Sequence, residues 1–203
     1  MNSPRSAAAT RRWRLLGLLP IGFVGWAYAT YDHPAHLLWL CNVCNLLLAV
    51  ALLTDNLRLL WVATLWLVLG TPLWVMDIFV KDRFYPHSVF THVVAPVLGL
   101  VAVRGRAAPA WTWILAVALG LAAQAVCRLW TPPALNINVS HATYRAMTGW
   151  FDSYIVYWLL VVLAISAVHY TSQRMITRLL APVKKPDQNG DRPVRAVQRG
   201  PAR

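Results

Sequence analysis

Charge is scarce in this chain. Only 13% of its 203 residues are charged, and its seven acidic residues are all aspartate. A soluble helical domain needs polar faces on its surface helices. Here 58% of residues are hydrophobic, gathered in blocks rather than in amphipathic stripes, which excludes an ordinary soluble domain. Cysteine is scarce as well, at three. Cys41 and Cys44 form a C-x-x-C pair and leave only Cys127, short of the second pair that a thiol–quinone relay usually needs. The spacing of these thiols and the histidines matches no standard metal pattern, and no metal or cofactor is expected. The sequence has no internal repeat and no phosphate-binding glycine loop.

What is present is apolar length. A helix needs about 20 mostly apolar residues to cross a ~30 Å hydrocarbon core. Six blocks qualify: Trp13–Thr30, Ala35–Leu53, Leu57–Val80, Ser88–Val103, Ala110–Leu129 and Trp150–Tyr170. The expected fold is all-α, a six-helix polytopic transmembrane bundle over residues 13–170. A basic arm (1–12) precedes it, and a basic, proline-bearing tail (171–203), expected to be largely disordered, follows. Of the 19 lysines and arginines, fifteen fall in the two terminal segments and the 2–3 and 4–5 turns. Lys81, Arg83, Arg128 and Arg145 fall on the opposite side. Basic residues are retained in the cytoplasm, so both termini are expected there, in the cell (inner) membrane. The net charge of +12 then reads as a topology signal whose partner is anionic headgroups at the cytoplasmic face, not nucleic acid. Arg11, Arg12 and Arg14, an apolar run and Ala27-Tyr28-Ala29 imitate a cleavable signal, read here as an uncleaved signal anchor.

On that topology the polar residues collect at the outer face. Asp32, His33 and His36 lie at the 1–2 junction, with Cys41, Asn42, Cys44 and Asn45 in the first turns of span 2. Asp77, Lys81, Asp82, Arg83, His87 and His92 lie where span 3 leaves and span 4 enters. Asn136, Asn138, His141 and Asp152 belong to the 5–6 loop and the start of span 6. Many have a plain structural reading. His33, His36 and His87 suit simple residence at an interface, Asp77 suits pairing with Lys81 four residues on, and cysteines pack well between helices. His92 is about one turn inside span 4, where an imidazole faces protein rather than lipid. It is either a packing device bonded to a helix carbonyl or the base of a Cys41 nucleophile at similar depth.

The stretch from His36 to Val101, HLLWLCNVCNLL through THVVAPVLGLV, resembles the YwaF-like bacterial membrane proteins and their six-span phospholipid acyltransferase relative. The shared features are an early cysteine–polar pair in span 2, a long span 3 ending in aspartate, a Phe/Pro/His outer turn and a histidine entering span 4. An asparagine loop (Leu135–Asn138) before GWFDSYIVYW extends the likeness to residues 30–170. More distantly the chain is similar to the androgen-induced integral membrane hydrolases. The resemblance implies a lipid acyltransferase or lipid-ester hydrolase near the outer leaflet, with Cys41 as nucleophile and His92 as base. In that scheme Asn42, Asn45, Asn136 and Asn138 are candidate oxyanion donors, and Asp152 is a candidate to orient His92. A C-x-x-C thiol oxidoreductase and a non-enzymatic lipid or small-molecule binding or transport protein are the alternatives.

Overall fold

The computed structural model describes residues 14–81, of which Lys81 by its backbone alone, and residues 84–180. The basic arm (1–12), Trp13, Asp82, Arg83 and the tail from 181 onward lie outside the described residues, as does the side chain of Lys81 and so its expected pairing with Asp77. Among the described residues there is no strand. From residue 18 to the end of the described residues six α-helices follow one another: α1 (Leu18–Thr30), α2 (Leu40–Thr54), α3 (Leu57–Lys81), α4 (Phe90–Val103), α5 (Thr112–Trp130) and α6 (Tyr154–Leu179). Helices α3, α5 and α6 are long and apolar enough to cross a membrane; α1, α2 and α4 are apolar but shorter.

The shortening has local causes. Pro34 starts a 3-10 turn, Pro34–Leu38, capped by His33, whose Nδ1 accepts from Ala35 N at 3.1 Å. Regular helix therefore begins only at Leu40 rather than at Ala35, and the 15 residues of α2 rise about 22 Å. In α4 the first turn, Phe90–Val94, is π-helical. Proline cannot donate to the carbonyl four residues back, so Pro96 leaves the His92 carbonyl without its α-helical partner. Thr71 of α3 fills the gap, donating its hydroxyl to His92 O at 2.6 Å. At the other end of the chain α6 differs from expectation in two ways. It begins four residues later, at Tyr154, and it runs to Leu179, nine residues into the segment read as disordered tail.

The core lies where α3 packs between α2 and α4, with α5 and α6 against its other side. Cys44, Leu48, Leu60, Trp61 and Leu65 are fully or almost fully buried there. Close approach of the helices depends on glycine. A Cβ at Gly17 would lie 2.8 Å from Ala49 O, and one at Gly99 would lie 2.6 Å from Thr64 Oγ1. The two deepest tryptophans satisfy their indoles on carbonyls, Trp61 on Arg106 O (3.2 Å) and Trp66 on Ala116 O (2.7 Å). The outside of the bundle is apolar too: Ile155, Leu163 and Phe79 are 67%, 66% and 82% exposed.

Candidate functional site

Asn138 fixes where the site begins. Its side-chain oxygen accepts from Leu40 N at 2.8 Å and its Nδ2 donates to Leu38 O at 2.8 Å. A loop residue about a hundred positions away thus supplies the pairing that the first turn of a helix lacks. Its backbone sits at φ 54°, which asparagine tolerates better than most residues. Its Nδ2 also lies 3.3 Å from the Cys127 thiol. Asn136 folds the loop on itself: Oδ1 accepts from His141 N and Ala142 N, and Nδ2 donates to Ala142 O, each at 3.0 Å. Both side-chain amides are engaged in holding backbone.

Below this clamp, Cys41 is half-buried and Cys44 fully buried among core side chains. All three cysteines are free thiols. Asn42 and Asn45 are also buried. Asn42 Nδ2 donates to Tyr31 Oη at 2.8 Å and to His36 O at 2.9 Å. Asn45 Nδ2 donates to Cys41 O at 2.8 Å and reaches Thr91 O at 3.5 Å. These carbonyls fix the amide orientation, leaving both Oδ1 atoms buried without a protein partner. The two residues expected to donate to an oxyanion therefore have their N–H groups committed and present acceptors instead.

His92 is placed from the α3 side. Its ring stacks on Trp74 with centroids 5.3 Å apart and planes 2° apart, and Trp74 is held by its indole on Ser88 Oγ at 3.0 Å. The Nδ1 edge lies against Gly70, where an added Cβ would be 3.7 Å away. Gly70, Trp74 and Asp77 share one face of α3 by their spacing. Asp77 lies within electrostatic range of the imidazole and accepts from the Tyr144 hydroxyl at 2.8 Å. Burial and this carboxylate push the Tyr144 phenol up to about 12. Asp152, expected to orient His92, is exposed and makes no polar contact among the described residues; Asp77 is the carboxylate on the His92 side. No hydrogen bond joins the Cys41 thiol to the His92 ring. Their backbones do meet at one level, through the Asn45 amide between Cys41 O and Thr91 O.

The outer histidines divide. His36 pairs with Asp32 at 3.0 Å, and His33 caps the 3-10 turn. His87, expected at an interface, is buried among the rings of Trp26, Tyr31 and Tyr85, and that burial lowers its pKa. Tyr31 is the residue the sequence did not single out. It lies between His36 and His87, accepts from Asn42, and sits within electrostatic range of Cys41. Its place directly before Asp32-His33 was a signal, but with 11% aromatic residues in the chain a tyrosine at a helix end does not stand out. Among the described residues no three His, Cys, Asp or Glu side chains are grouped to hold a metal ion. The chain matches no known family profile, no curated protein and no solved structure.

Proposed function

We propose that the chain is a six-span membrane protein, both termini cytoplasmic, that transfers or hydrolyses lipid acyl groups at its outer end through Cys41 and His92. The observation that carries this reading is the Asn45 bridge. One side-chain amide contacts both Cys41 O and Thr91 O, which brings the thiol-bearing turn of α2 beside the imidazole-bearing turn of α4. The exposed apolar faces of the bundle and the resemblance to six-span acyltransferases support the lipid setting. His92 takes the Cys41 proton, the thiolate attacks an acyl ester, and an acyl-thioester forms; a lipid alcohol or water then removes the acyl group. Full burial of Cys44 disfavours the thiol-exchange alternative, because exchange needs access to both sulfurs.

A second reading rests on the stacking of His92 on Trp74, with no hydrogen bond from its ring to Cys41. In it the imidazole is a packing element and the bundle binds lipid without chemistry. Purified Cys41→Ala and His92→Ala proteins separate the two. The enzymatic reading expects each to abolish lipid-acyl turnover and the double variant to be no worse, since groups acting as a unit are not additive. Near-wild-type turnover by His92→Ala would remove the imidazole from the mechanism, and absence of turnover in the wild-type protein would leave the binding reading standing.

A further inference from the structure

Resting on the acyl-transfer reading, we infer that Tyr31 is the oxyanion donor of this site, the role for which Asn42, Asn45, Asn136 and Asn138 were the candidates. The hydroxyl of Tyr31 is pinned by Asn42, the residue next to Cys41 in α2, at 2.8 Å. The direction of that bond matters. Asn42 Nδ2 is the donor, so the phenol oxygen accepts and its own proton is left for another acceptor. The N–H groups of Asn42 go to Tyr31 Oη and His36 O, and those of Asn45 to Cys41 O and, at 3.5 Å, to Thr91 O, so both amides are turned to these acceptors and not to an oxyanion. Tyr31 is half-buried, and burial raises its pKa above the ordinary phenol value of 10, which keeps the proton on oxygen at neutral pH.

The step balances without any further reagent. The Cys41 proton passes to His92, the sulfur forms a bond to the ester carbonyl carbon, and the carbonyl electron pair moves onto oxygen, where the Tyr31 hydroxyl donates to it. The carbonyl re-forms as the ester C–O bond breaks, and the departing alkoxide takes the proton from His92. A donor aimed at the developing charge lowers this barrier more than it strengthens ester binding.

The test compares two reactions of the same thiol in the purified full chain. Acylation by p-nitrophenyl octanoate passes through an oxyanion and needs no acid for its leaving group; alkylation by iodoacetamide passes through none. Tyr31→Phe keeps the ring between His36 and His87 and removes only the hydroxyl. We expect it to slow p-nitrophenolate release about 100-fold or more, as loss of one oxyanion donor does, while Cys41 alkylation stays within about twofold of wild type on the same ground. Tyr28→Phe, at an exposed position one turn earlier, should change neither rate. Unchanged acylation in Tyr31→Phe overturns the inference, and equal slowing of both reactions overturns it in favour of a structural role. Wild-type turnover of the ester by Cys41→Ala instead overturns the acyl-enzyme reading beneath it.

Discussion

A single missing N–H shapes the neighbourhood of His92. Pro96 removes the donor that His92 O would otherwise receive, the helix widens into a π turn, and Thr71 from α3 replaces the bond at 2.6 Å. Thr71→Val keeps the volume and removes the hydroxyl, taking that bond from a part-buried carbonyl at a cost of about 1 kcal/mol. Pro96→Ala restores an N–H to the turn, so Thr71→Val should cost less in that background, and denaturation midpoints of the four proteins measure the coupling. If the two changes add, Thr71 is not serving the proline gap. His87 gives a prediction in pH. Burial lowers its folded pKa below the ordinary 6.5, so the unfolded chain binds its proton first as pH falls. The stability His87 contributes as a neutral ring is complete above that value and is lost on acidification through it towards the lower folded pKa. Thermal unfolding between pH 7 and pH 5 should therefore show a smaller acid-induced loss in His87→Phe than in wild type. An identical slope in both proteins would contradict the buried placement of this ring.

At the scale of elements, the loop between α5 and α6 is held by side chains rather than by backbone ladders. Asn138 bonds Leu38 O and Leu40 N, Gln124 Nε2 donates to Asn138 O at 2.9 Å, and Tyr154 Oη donates to Val139 O at 2.9 Å. Asn138→Gly keeps the left-handed backbone and loses the amide, whereas Asn138→Ala loses the amide and strains the φ of 54°. Unfolding free energies should rank wild type, then Gly, then Ala, the last two separated by about 1 kcal/mol; a Gly variant as stable as wild type would mean the clamp contributes nothing. Helix packing gives a parallel contrast. Gly99→Ala drives a Cβ into Thr64 Oγ1, while Gly25→Ala meets nothing within 4 Å, so only the first should destabilise. The sequence made these elements legible unevenly. Apolar blocks marked all six helices, because apolar residues continue on every side of them. Their ends were less visible, since Pro34 and Pro96 act on backbone pairing while leaving the hydropathy pattern intact. Asn138 was visible as a polar residue near the site, but its bond to a turn 98 residues away depends on tertiary placement that no local spacing encodes.

For the whole molecule, hydropathy and charge carry different information. Apolar residues cover the outside of the bundle, as at Leu163 and Ile155, which a bilayer would shield and water would not. This much follows from composition, because 58% hydrophobic residues exceed what the small core around α3 can enclose. The proposed pairing of Cys41 with His92 was legible only as equal depth, since depth follows from position along each helix while ring orientation follows from what packs beside it, here Trp74. The proposed orientation in the membrane rests on the fifteen-to-four division of basic residues, and it decides whether Cys41 and Tyr31 open toward the outer leaflet. In a background with Cys41, Cys44 and Cys127 replaced by alanine, we expect His141→Cys to react with a membrane-impermeant maleimide added to intact cells. Lys184→Cys should react only after the membrane is opened. His141 lies in the 5–6 loop that carries Asn138 and Tyr144, so its exposure reports directly on the face that bears the site. The reverse pattern would move the site to the cytoplasmic leaflet: the contacts of Cys41, Tyr31 and Asn45 would stand, while the proposed entry of lipid from the outer leaflet would not.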